Sequence, residues 1–125
     1  MTGITLDAGP LIALDRDDRK VIALLVTAQR SASPVVIPAT ALAQAVRNPA
    51  RQARLMRLLR QPRTVVAQLD RVDATSVGVL LAATGTSDIA DAHVVVCARR
   101  AEQPIVTSDP DDLRTLDPPA RLVLV

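Results

Sequence analysis

The chain has 125 residues, 49% of them hydrophobic, which suffices for one compact globular unit and argues against disorder. Its 15 basic and 13 acidic residues give only +2 overall, and the absence of Phe, Tyr and Trp excludes nucleic-acid recognition by stacking on aromatic rings. Cys97 is the single cysteine, which excludes an internal disulfide and is compatible with the reducing cytoplasm, the expected location.

The opening Met1-Thr2-Gly3-Ile4-Thr5-Leu6-Asp7 has no basic head and meets a charge early, so neither a signal peptide nor a membrane span is expected. Ile4-Thr5-Leu6 reads as a first strand. Asp7-Ala8-Gly9-Pro10 then opens a helix through Leu11, Ile12 and Leu14, with Pro10 tolerated in the first turn. From Asp17-Asp18 a second helix continues, with Val21, Leu24, Leu25 and Ala28 on one apolar face. Val35-Val36-Ile37 is too short and too uniformly apolar for an exposed edge strand. Pro38 opens a helix over 39–47, which Asn48-Pro49 closes.

Residues 50–61 read as one long helix in which Arg51, Arg54, Arg57 and Arg60 step by three around one half of the surface. The segment 47–63 holds six arginines and no acid, and it reads either as a solvated face or as a surface for RNA phosphates or a protein partner. A strand over 64–69 follows, then a helix over 70–83 with Gly85 at its end. A buried helix runs from about Asp88 to Gln103. A strand over 104–107, a short helix from Asp109 and a strand over 121–125 complete the chain. Apolar strands alternating with helices predict an α/β domain, a three-layer sandwich around a mainly parallel five-stranded sheet, spanning 1–125.

Ligands of such sheets bind outside the carboxyl ends of the strands, and Asp7 and Asp109 stand at two such ends. Asp88 and Asp91 share one face at the start of the buried helix. Each acid alone suits a helix cap. Together, on elements that one sheet edge gathers, they suit an oxygen-rich site for Mg²⁺ or Mn²⁺, because crowded carboxylates repel unless a divalent cation offsets their charge. Such a site suits phosphodiester hydrolysis: the cation polarises the phosphate and lowers the pKa of an attacking water. His93, two positions past Asp91, reads as a packing residue on the far side of the helix, and Cys97 reads as core.

Four segments in order carry a resemblance: Ile4-Thr5-Leu6-Asp7-Ala8-Gly9-Pro10, Val36-Ile37-Pro38-Ala39-Thr40-Ala41-Leu42-Ala43-Gln44, Asp88-Ile89-Ala90-Asp91-Ala92-His93-Val94-Val95, and Ile105-Val106-Thr107-Ser108-Asp109-Pro110-Asp111-Asp112-Leu113. The pattern resembles the PIN-domain ribonucleases, in particular the VapC-like toxins of bacterial toxin–antitoxin pairs. The resemblance implies an Mg²⁺- or Mn²⁺-dependent endoribonuclease acting on single-stranded RNA. Asp7, Asp91 and Asp109 would be its catalytic and metal-site acids. Asp88 would support them, with Gln44, Thr107 and Asp112 as auxiliary groups. It also implies a homodimer and a cognate antitoxin whose tail occupies the active-site groove.

Arg47, Arg51 and Arg54 are candidates for RNA or partner contact. Gln44 departs from the pattern, which usually has glutamate there. The alternative is therefore a catalytically impaired PIN-like module acting through RNA or protein binding. A phosphoacceptor receiver domain fits less well, since Asp7 stands alone after the first strand and the only lysine is Lys20.

Overall fold

Short runs of aliphatic and β-branched residues form five strands in the computed structural model, which describes residues 3–125. They are β1 (Ile4–Leu6), β2 (Val35–Pro38), β3 (Thr64–Ala67), β4 (Ile105–Thr107) and β5 (Leu122–Leu124). Met1 and Thr2, at the head of the segment read as leader-free, lie outside the described residues. The sheet order is β3-β2-β1-β4-β5, and every neighbouring pair is parallel. Parallel neighbours need crossovers, which the seven helices supply. All three residues of β4 are buried, so both faces of the sheet are covered there, and β2 lies inside the sheet as its uniform apolarity predicts. The edges are β3, whose Val65 and Val66 are exposed, and β5.

Helix α1 (Ala8–Leu14) begins at Asp7, whose carboxylate accepts the amide of Ala8. Helix α2 (Arg19–Arg30) begins at Asp18, which accepts from Val21 N, and buries Val21, Leu25 and Ala28. Helix α3 covers Ala39–Ala45. The helices α5 (Arg71–Thr84) and α6 (Ile89–Ala101) have Asp70 and Asp88 as N-caps, each bonded to an amide in the first turn. Gly85 ends α5 in the left-handed conformation, at φ 66°. Helix α7 spans Pro110–Leu116. The core gathers Leu6, Leu11, Ile37, Val94, Val106 and Leu113 around the sheet. Among the described residues no single helix is long and apolar enough to cross a membrane.

The helix expected over 50–61 is broken. Pro49–Arg51 forms a single 3₁₀ turn, and α4 occupies only Ala53–Leu59. Gln52 causes the break: its side-chain oxygen accepts from Arg47 N and Asn48 N, and its amide nitrogen donates to Ala45 O, so it closes the end of α3. The first amides of α4 are capped from 39 and 40 residues away by Asp15, whose two oxygens accept from Arg54 N and Leu55 N. Asp15→Ala is expected to cost about 1 kcal/mol, as loss of a helix N-cap does. A urea titration would show an unchanged slope and an earlier midpoint; an unchanged midpoint would deny the cap its role.

Candidate metal centre

The carboxyl ends of β1 and β4 deliver two of the acids, and one hydroxyl ties them together. Thr107, the last residue of β4, is fully buried; it donates to Asp7 Oδ2 at 2.8 Å and accepts from the amide of Asp109 at 3.0 Å. Asp7 is only 8% exposed, and its other oxygen caps α1. Burial raises the Asp7 pKa above its ordinary 3.8, and the charges of Asp109 and Asp88 add to this while the Ala8 amide and Thr107 hydroxyl oppose it. Asp109 stands at the N-cap of α7 but makes no side-chain cap bond, so the ordinary structural use of an aspartate there is not in force.

Asp91 lies in the first turn of α6 and is half-buried. Its pKa is pushed up to about 7, first by burial and then by Asp88, Asp7, Asp112 and Asp109. Four carboxylates, from the caps or first turns of α1, α6 and α7, therefore act on one group. Asp88, Asp91 and Asp112 also line a cavity of about 240 Å³ with Thr86, Ser87, Thr115 and Leu116. Like charges held this close store repulsion that a divalent cation would relieve, and the donors are all oxygen, the set preferred by Mg²⁺ and Mn²⁺. The donor chemistry suits such an ion, but among the described residues these acids do not bring three donor atoms within 4.8 Å of one another.

The other sequence-derived candidates are more dispersed. Gln44 is exposed on α3, and no hydrogen bond joins it to the acids among the described residues. Arg47, which lies two residues past the end of α3 and outside the helix expected over 39–47, donates to the carbonyls of Ala43 and Val46, Arg54 pairs with Asp17, and Arg51 is exposed. Two adjoining grooves of about 280 and 260 Å³ run between α2 and α4. Leu25 and Leu58 lie in both, with Arg54, Arg57 and Arg63 among the lining residues.

Sequence reasoning missed a second polar centre. His93 is fully buried, and its Nε2 lies 3.0 Å from Asp73 Oδ2 while Nδ1 lies 2.9 Å from Thr40 Oγ1. The carboxylate accepts the Nε2 proton, so a neutral ring leaves Nδ1 to accept from the Thr40 hydroxyl. Arg100 pairs with the other oxygen of Asp73. Burial works against the charge on Asp73, but the bonds from Arg100 and His93 more than offset it and hold the carboxyl below 3.8.

Donor atoms of Asp73, His93 and Cys97 lie within 4.8 Å of one another, close enough to hold a metal ion, and they form the one such group of three or more among the described residues. Both nitrogens of His93 and both oxygens of Asp73 already have partners without one, and burial pushes the Cys97 thiol up to about 11, away from the thiolate a metal needs. Only the spacing of Asp70 and Asp73 could have hinted at this centre, and it reads as an ordinary helix start.

No protein-family model matches the chain, and no curated protein matches it. Among solved structures, the chain is similar to one in the complex of VapBC2 from Rickettsia felis bound to a DNA fragment from its promoter. The identity is 14%, the TM-score 0.68, and 98% of each chain is covered. It is also similar to a chain in the structure of FitAcB from Neisseria gonorrhoeae, at 17% identity and a TM-score of 0.62 over 95% of each chain. At these identities the likeness shows a shared fold.

Proposed function

We propose that this protein is the toxin of a toxin–antitoxin pair, a PIN-type endoribonuclease that hydrolyses single-stranded RNA with Mg²⁺ or Mn²⁺ in the cytoplasm. The likeness to the VapBC2 and FitAcB chains supports a toxin–antitoxin role. Since such complexes hold both kinds of chain, the assignment to the toxin side rests on the acid-bearing sheet edge. The observation that carries it is the convergence of Asp88, Asp7, Asp112 and Asp109 on Asp91.

Asp7, Asp91 and Asp109 would hold the cation, with Asp88 and Asp112 at the rim of the adjoining cavity. When bound, the cation supplies charge that polarises a phosphodiester and favours ionisation of water. The chain's own part is orientation: Thr107 fixes the Asp7 carboxylate and the Asp109 amide with one hydroxyl, and Asp88 fixes the start of α6. In the net reaction water adds to phosphorus and the P–O bond to the leaving nucleoside breaks. The grooves between α2 and α4, with apolar walls and three arginines, suit an apolar-faced acidic segment of a protein partner, here the antitoxin. A homodimer belongs to the same reading.

Purified protein incubated with single-stranded RNA and Mn²⁺ is expected to cleave it, and Asp7→Asn to lose that cleavage. Cleavage that survives the substitution would sink the reading. Gln44 favours one second reading, a PIN-like module without catalysis, because a neutral exposed amide stands where the resembling family carries a charge. Binding of RNA without Mn²⁺ uptake would support that reading instead.

A further inference from the structure

The cavity beside the candidate metal centre, about 240 Å³ in volume, has an unusually uniform lining. Three carboxylates and three hydroxyls ring it, Leu116 is its one apolar member, and no basic residue lines it. A phosphate is therefore repelled from this space. The carboxylates do not bring three donor atoms within 4.8 Å of one another, so they surround a space wider than one bare cation and suited to an organic group. The three acids are not equivalent. Asp88 gives one oxygen to the amide of Asp91, and Asp91 itself belongs to the proposed cation site. Asp112, in the first turn of α7, enters no hydrogen bond or ion pair among the described residues, and Arg114 pairs with its neighbour Asp111 instead. Both of its oxygens are free.

We propose that Asp112 determines RNA specificity by accepting the Watson–Crick edge of a guanine seated in this cavity, beside the phosphodiester to be cut. A carboxylate is an acceptor at both oxygens, and guanine alone among the RNA bases presents two adjacent N–H donors, N1 and N2, on that edge. Adenine and cytosine set one donor group beside a ring acceptor, and uracil sets a single N–H between two carbonyls. Each of these turns a lone pair toward the carboxylate. The lining hydroxyls supply donors for the guanine O6. Because the chain has no Phe, Tyr or Trp, an unstacked base cannot be held on an aromatic ring and must be read by its hydrogen bonds. The inference rests on the proposed ribonuclease function and names the substrate feature that its site selects.

Two short fluorescein-labelled oligouridylates that differ at one central residue, guanosine or inosine, test the contact, because inosine keeps N1–H and O6 and lacks only the 2-amino donor. Fluorescence anisotropy in chelator reads binding without cleavage, and competitive cleavage in Mn²⁺ reads the same preference as a ratio of kcat/KM. Wild type is expected to favour guanosine at least ~5-fold, the low end of what a bidentate base contact contributes. In Asp112→Asn the preference should vanish, since a carboxamide turns an N–H toward one of the guanine donors. A ratio of two ligands on one protein is not moved by loss of folded material. Wild type that treats the two alike, as a cavity serving a basic side chain of a partner protein would, overturns the inference, and if it still cleaves, the proposed function stands. A preference undiminished in Asp112→Asn also overturns it. Wild type that neither binds nor cleaves either oligonucleotide removes the proposed function and this inference with it.

Discussion

Replacing Asp73 with alanine is expected to destabilise the fold by about 1.5–3 kcal/mol, the usual cost of losing buried hydrogen bonds to a charged group and leaving their donor unsatisfied. Asp73 is 2% exposed and links the His93 ring to the Arg100 guanidinium. Without it, Nε2 of a fully buried imidazole loses its acceptor, and the Thr40 bond that joins α3 to α6 loses the support of a fixed ring. Against a total of ~5–15 kcal/mol for a domain of this kind, the change removes a sizeable share of the folding free energy. Urea titrations measure it directly, and a loss below about 1 kcal/mol, the level of an ordinary surface hydrogen bond, would show that the network is not buried as described.

The sign of the pH dependence follows from the lowered pKa of Asp73. The unfolded carboxyl takes up its proton near 3.8 and the folded one only at lower pH, so the contribution is present above that value and is lost as pH falls through the folded pKa. Asp73→Asn should therefore flatten the acid limb of the stability curve.

Asp91 behaves in the opposite sense. Its folded pKa is raised from 3.8 to about 7, so between those values the native chain holds a proton that the unfolded chain has released. Stability without a cation therefore declines as pH rises through this window, and the decline is complete above about 7. Asp91→Asn removes the repelled charge. At pH 8 and without divalent ions it should raise stability by about 1–2 kcal/mol, a figure reduced from the full shift because half the group is in solvent. For a chain of this length that corresponds to roughly 3–8 °C in Tm. With saturating Mn²⁺ the order should reverse, since wild type gains a ligand that the variant lacks. A variant less stable than wild type in chelator at pH 8 would mean that Asp91 is held by attraction and that the acids do not crowd it.

Much of this was legible because it is local. The β-branched runs, the caps at Asp18, Asp70 and Asp88, and Gly85 after α5 act over a few residues, so a linear reading finds them. The placement of Asp7 and Asp109 at strand ends was legible for the same reason, and the parallel sheet then brings those ends to one edge. What escaped depends on distant partners. The break at Gln52 is made with the help of Asp15, which caps Arg54 from 39 residues earlier, and the His93 network draws on Thr40, 53 residues away. Local propensity carries no trace of such pairings, so an arginine-rich segment looked like one helix and nothing in the sequence singled out Asp73. Gln44 was legible as an anomaly, and its exposure on α3 adds no contact that would substitute for the missing charge.

Calorimetric titration of the purified protein with Mn²⁺ at pH 8 tests the shared cation most directly. Wild type is expected to show saturable uptake that weakens at least ~100-fold in Asp91→Asn and in Asp7→Asn, as loss of a direct ligand should exceed the 10–100-fold typical of an outer one. At pH 6 the wild-type uptake should be weaker and accompanied by proton release, because Asp91 must ionise to bind. No uptake by the wild type, or uptake indifferent to both substitutions, would contradict a common site at Asp7, Asp91 and Asp109.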